Sequence, residues 1–162
     1  MEGATRPEAI VEAIRNDGGV TIEWQTGQRP THGYAVAPSE STERTIPLTK
    51  LTPEVLTDYA EAFRALLALP GMCLGARDKE GVVYLDVSIV VADRAVAAAL
   101  AQDAHQFAIR CLHEGRSLAM ETVSRDERET IEAARAGTAY RQLRQQIEAA
   151  IAGRDQSSDS LT

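Results

Sequence analysis

Only two cysteines, Cys73 and Cys111, occur among 162 residues, and no CxxC pair exists. Each lies in an apolar stretch, so both are expected to be buried, reduced thiols rather than a disulfide or a redox pair. No apolar run approaches the length of a membrane span. The N-terminal residues lack the basic start and apolar core of a signal peptide, so a cytoplasmic location is expected. Basic residues are in the minority, 17 against 24 acidic ones, for a formal charge of −7. That balance argues against broad binding to nucleic-acid phosphates, which needs a concentrated basic face. The acids are interspersed with arginines rather than massed in rows, so ordinary solubility accounts for them better than mimicry of DNA does.

Motifs for hard chemistry are also scarce. Gly18-Gly19 and Pro70-Gly71 lack the lysine and the strand-to-helix setting of a phosphate-binding loop and read as turns. His32, His105 and His113 are far apart and share no metal-ligand spacing, so no metal site and no cofactor is expected.

What the chain does have is the composition of a globular protein, 44% hydrophobic and 25% charged, in a length that fits one domain with a packed core. The expected domain covers residues 1–153, with a disordered tail at 154–162. Its class is expected to be α+β: a mainly antiparallel sheet of five to six strands, two or three packed helices and a long C-terminal helix.

The first helix is expected over 6–15, with Thr5 and Glu8 at capping-box spacing and Pro7 in the first turn. Alternation from Val20 and turn residues thereafter give three strands, 20–24, 31–37 and 43–48, expected to form a meander. Pro47 limits the third to an edge or to an end there. Thr52-Pro53-Glu54 caps a helix with Val55, Tyr59, Phe63, Leu66 and Leu67 on one face. A short strand opens at Met72, and Asp78-Lys79-Glu80-Gly81 turns the chain into a central strand, 82–91. Asp93 caps an alanine-rich helix, and 107–112 reads as another strand. Ser124 and Glu127 form a second capping box, opening a helix over 124–152 that Gly153 closes. Its stripe of Ala133, Ala136, Tyr140, Leu143, Ile147 and Ala150 is expected to dock on the chain's own sheet more readily than on another chain.

Asp86 is the residue with most chemical interest, an acid within an apolar strand. The plain reading is a solvated or hydrogen-bonded structural aspartate. The sharper reading groups it with Tyr84, Ser88, His32 and Tyr34 as a shallow polar site containing an acid, a hydroxyl and a base. Asp86 and His32 are thus the only weak catalytic candidates. His105-Gln106 reads as a helix cap, and the arginines and glutamates of the last helix read as a solvated salt-bridging face rather than a phosphate site.

Two groups of segments carry a resemblance: His32-Gly33-Tyr34-Ala35-Val36-Ala37-Pro38 with Arg44-Thr45-Ile46-Pro47-Leu48, and Tyr84-Leu85-Asp86-Val87-Ser88 with Asp93-Arg94-Ala95 and Gln106-Phe107-Ala108-Ile109. Over residues 19–115 the chain resembles small accessory proteins, most of them uncharacterised, encoded by actinobacterial phages and integrated mobile elements. Those relatives often carry Gly-Gly-Trp where this chain has Leu74-Gly75-Ala76. The resemblance implies an accessory protein and supplies no catalytic residues.

A non-enzymatic role through binding a bacterial host protein, such as a component of host defence, is therefore expected, because surfaces are the main resource of a small domain without a nucleophile or cofactor motif. Gln28 and Arg29 in the 25–29 turn, Glu40 in the 38–42 loop, and Tyr140, Leu143 and Ile147 on the last helix are the candidate contact residues. Self-association through that helix is the alternative, and a small enzyme around Asp86 the second alternative.

Overall fold

A computed structural model describes the backbone of residues 6–161 and the side chains of residues 6–153. The expected cap at Thr5 and the expected disorder of the tail lie outside the described side chains. The α+β class is as the periodicities require. Among the described residues there are seven α-helices and seven strands, all pairings antiparallel, and no helix is long and apolar enough to cross a membrane.

The centre is a hairpin. Strand β4 (Met72–Lys79) and strand β5 (Val82–Val91) are joined by the two residues Glu80 and Gly81. Their φ values, +54° and +84°, are both positive, as a turn matched to the right-handed twist of the strands requires. The Gly81 N–H donates to Asp78 Oδ1 at 2.9 Å and closes the turn. In β5, Val83, Leu85, Val87 and Ile89 are buried on one face.

The three early strands, β1 (Gly19–Glu23), β2 (Tyr34–Val36) and β3 (Arg44–Pro47), do not form the expected meander. Each pairs instead with a strand formed much later: β1 with β4, β2 and β3 both with β5. No two-residue turn joins them, whereas the β4–β5 hairpin offers two long free edges. Pro47 does end β3, which pairs on one side only, opposite Val82 at its end.

The shared edge of β5 has a gap where β3 stops at Leu85 and β2 begins at Ile89. A single turn of 3-10 helix, Glu40–Thr42, fills it. Thr42 is fully buried; its hydroxyl accepts from Val87 N–H at 3.2 Å and its carbonyl accepts from Tyr59 Oη–H at 2.7 Å. A side chain thus substitutes for the missing strand, because a buried N–H must find an acceptor.

Beyond β2 the sheet continues through β6 (Ala108–Cys111) to β7 (Arg116–Ala119), giving the order β1-β4-β5-β2-β6-β7. Helix α4 (Arg94–Asp103) connects β5 to β6, capped by Asp93, whose carboxylate accepts from Ala95 N–H at 2.8 Å. Its alanines are buried on both sides, which lets α4 lie between the sheet and the helices that follow.

Helix α1 (Arg6–Asp17) lies against β1 and β4 through Ile10, Val11 and Ile14. Helix α2 (Pro53–Ala62) starts at Thr52, whose hydroxyl accepts from Val55 N–H at 3.2 Å, and breaks at Phe63 before the short α3 (Arg64–Leu67).

The expected helix over 124–152 is three helices: α5 (Met120–Asp126), α6 (Arg128–Arg135) and α7 (Thr138–Leu161). Glu127 leaves helical geometry at φ −122°, and its carboxylate is held 2.6 Å from Arg94 Nη2. Ser124 is not a cap but lies inside α5, accepting from Gln102 Nε2 at 3.0 Å. Gly153 is within α7 rather than at its end. Helix α7 packs chiefly on α3 and α6 rather than on the sheet. Tyr140 and Ile147 are buried there, and Tyr140 Oη–H donates to Asp103 Oδ2, tying α7 to the end of α4.

Candidate functional site

Asp86 sits on the face of the sheet turned away from the helices, where exposed Thr45, Arg77, Arg110 and Ser117 also lie. The Ser88 hydroxyl donates to its Oδ1 at 2.9 Å. Directly opposite is Gly75, where a Cβ would stand 2.5 Å from that same oxygen. Glycine is thus what makes room for the carboxylate. Burial pushes the Asp86 carboxyl above the ordinary range; the Ser88 hydrogen bond opposes this, Glu43 adds to it and Arg77 offsets part.

A carboxyl raised by folding binds its proton more tightly in the native state, so its ionisation destabilises the fold as pH rises through the native value. Asp86→Asn keeps the acceptor for Ser88 and removes the ionisation. The variant is expected to match the parent in acid and exceed it in stability near pH 7, read by denaturant unfolding across pH; a loss that grows as pH rises would show that the charge is favourable.

The sharper grouping of Asp86 with His32 does not assemble. Tyr34 pairs with Val91, five residues from Asp86 along β5 and so about 16 Å away, and His32 lies beyond it. Its ring stacks with His113 instead. Cys73 is free and buried, with its thiol pushed up to about 12 by burial and then by Glu23, so it stays protonated.

Of the candidate contact residues, Gln28, Arg29 and Glu40 are exposed. Tyr140 and Ile147 are enclosed by the chain's own helices and Leu143 is half-buried, so the stripe on α7 holds the domain together rather than facing a partner. Burial, and then Asp103, raise the Tyr140 hydroxyl well above its ordinary value.

The last helix and the 38–42 loop nevertheless meet at one place. A groove of about 480 Å³ runs between Pro38, Glu40, His105, Arg144, Ile147 and Ile151. Arg144 donates to Pro38 O at 3.2 Å and pairs with Glu148 at 3.2 Å along its wall. A second groove, about 470 Å³, lies between His105, Phe107, Met120, Glu121 and Ser124. Gln28 and Arg29 line neither.

His105 borders both grooves and has φ +55°. It occupies the left-handed position that ends α4: His105 N–H donates to Gln102 O at 3.2 Å and Gln106 N–H to Ala101 O at 2.8 Å, the paired bonds of a Schellman motif, where glycine is usual. The capping expectation for this dipeptide holds through the backbone, and Gln106 Nε2 also donates to Ala104 O at 3.2 Å. His105→Gly is expected to raise stability by about 1 kcal/mol, read from the shift of the denaturation midpoint; no gain would mean the histidine side chain compensates for its backbone.

Phe107 follows at once and is 92% exposed. It shares parity with Ile109 and Cys111, both buried, so alternation alone assigns it to the core. The strand begins only at Ala108, and Phe107 stands outside it. No protein-family model, curated protein or solved structure matches this chain.

Proposed function

We propose that the chain is a non-enzymatic accessory protein of a phage or mobile element that binds a bacterial host protein, a defence component being the natural target, through the surface around Phe107. The observation that carries this reading is the 92% exposure of that ring on the rim of the second groove, which His105 joins to the first. Large exposed apolar groups are disfavoured in water unless something covers them, and aromatic anchors flanked by pockets supply much of the energy of protein interfaces. The grooves are lined by the acidic Glu40, Glu121 and Glu148, the last paired with Arg144, and by the apolar Ile151 and Met120. Such a surface suits a partner segment with apolar side chains flanked by basic ones.

The test is purification of the tagged chain from an actinobacterial host, identification of the co-purifying protein, and measurement of its affinity as a pure component. Phe107→Ser is compared with Glu54→Gln, which lies outside both grooves. One stoichiometric partner is expected, bound at least about tenfold more weakly by Phe107→Ser, a difference of about 1.4 kcal/mol, and equally well by the control. Binding unaffected by Phe107→Ser, or recovery of the chain without a partner, would overturn the reading.

A further inference from the structure

A different part of the molecule, the end of the sheet where β2 lies beside β6, brings together side chains that are far apart in sequence. Tyr34 stands opposite Cys111 there. The backbone fixes segment 31–34 against the β6–β7 turn: Leu112 N–H donates to Gly33 O at 2.9 Å, and Gly115 N–H to Cys111 O at 2.9 Å. Gly33 has φ +93°, and a Cβ on it would come 2.9 Å from Val91 O. Only glycine permits so close an approach.

As a result the rings of His32 and His113 stack, with centroids 6.1 Å apart and planes 15° from parallel, and Tyr34 meets His113 edge-on at 5.6 Å. Cys111 Sγ is 3.4 Å from His113 Nε2. The donor atoms of Cys111, His113 and Glu114 all lie within 4.8 Å of one another.

A thiol, an imidazole and a carboxylate converging in this way form a mixed donor set. Zinc bonds of about 2.3 Å to sulfur and about 2.05 Å to nitrogen in a tetrahedron place those two ligands about 3.6 Å apart. The sulfur–nitrogen spacing here is already close to that. Glu114 is exposed with a carboxylate oxygen already in the donor group, and Arg116, 2.6 Å from its Oε1, engages one oxygen and leaves the other. Thr31 Oγ1 lies 3.0 Å from His32 Nδ1; with the proton on Nδ1, this contact orients the ring and leaves Nε2 as the ligand nitrogen.

We propose that Cys111, His113 and Glu114, joined by His32 once its ring turns off its stack on His113, bind one zinc(II) ion, clasping segment 31–34 to the β6–β7 turn. The Cys111 thiol gives up its proton to solvent as the zinc–sulfur bond forms. Thiolate and carboxylate then balance the charge of the ion, with both imidazoles neutral. Calcium and magnesium, which take oxygen ligands, do not suit a sulfur–nitrogen set.

The experiment uses the untagged chain, zinc competition against a chromophoric chelator, and cobalt(II) as a spectroscopic substitute. One equivalent of zinc is expected, bound at least about 100-fold more weakly by His113→Ala and at least about tenfold more weakly by His32→Ala. Cobalt is expected to give a thiolate charge-transfer band that Cys111→Ser removes. Cys111 is fully buried, so the two exposed histidines carry the test if that variant does not fold. Zinc held no tighter by the parent than by the His32→Ala/His113→Ala double variant, or a cobalt spectrum without the thiolate band, would overturn the proposal.

Discussion

Ile147→Asp is expected to unfold the domain. Ile147 is fully buried where α7 meets the rest of the core. Truncating such a side chain to alanine costs about 2–5 kcal/mol through lost transfer energy and the cavity left behind. Aspartate adds a carboxylate at a fully buried position, and the Arg144 guanidinium nearby on α7 is already engaged by Pro38 O and Glu148. A total beyond about 4 kcal/mol is in the range that removes most of the stability of a single domain. Leu143→Asp, at a half-buried position one turn earlier, is expected to cost much less. Circular dichroism and denaturant titration decide the matter. A folded Ile147→Asp protein that merely changed oligomeric state would mean that the stripe faces another chain.

Thr42→Val is the second large effect, and its cause is polar rather than apolar. Valine matches threonine in shape, so packing around it is kept. The hydroxyl that accepts from Val87 N–H disappears, and that N–H is left in the gap of the central strand with no acceptor. An unsatisfied buried donor costs about 1–3 kcal/mol. Because Tyr59 donates to the Thr42 carbonyl and not to its hydroxyl, that bond survives in the variant, and Tyr59→Phe should act as a separate, smaller loss. Chemical denaturation of the two single variants and the double variant reads both. A Thr42→Val protein as stable as the parent would mean that water or a shifted backbone reaches Val87.

The elements that were legible in the sequence share one property: their signals are local and strong. Thr52 and Asp93 cap their helices as expected, and burial in β5 alternates from Val82 to Val87 before the run of buried residues Val87–Ile89. Where partners come from elsewhere in the chain, the sequence misleads. The strand pairings of β1, β2 and β3 depend on edges formed by β4 and β5, so no neighbouring residue announces them. Strand β7 has only Leu118 buried among its four residues, too little pattern to read. Ser124 and Glu127 have capping spacing, yet Gln102 and Arg94 claim their side chains.

The same holds for the candidate sites. Glu40 was singled out from its exposed loop and does line a groove, whereas Tyr140 and Ile147 were singled out from a stripe that turns inward. Phe107 opens the expected 107–112 strand with the parity of buried Ile109 and Cys111, so alternation does not reveal its exposure. The meeting of His32 with His113 follows from the pairing of β2 with β6, which spacing alone does not reveal.

The split edge of β5 also sets an order of events in time. The β4–β5 hairpin closes through two residues, so its loop entropy is small, while β1, β2 and β3 must return across long stretches of chain to reach it. The hairpin is therefore the template and the first third of the chain its late addition. Gly81→Ala, which strains a turn residue at φ +84°, is expected to slow refolding with little change in the unfolding rate. Val20→Ala in β1 is expected to do the reverse, speeding unfolding and leaving refolding nearly unchanged. Stopped-flow rates over a range of denaturant measure both, and equal effects on the two limbs would mean that β1 joins the sheet together with the hairpin. In a cell, the order means that a nascent chain cannot bury its first three strands until residues 72–91 have left the ribosome.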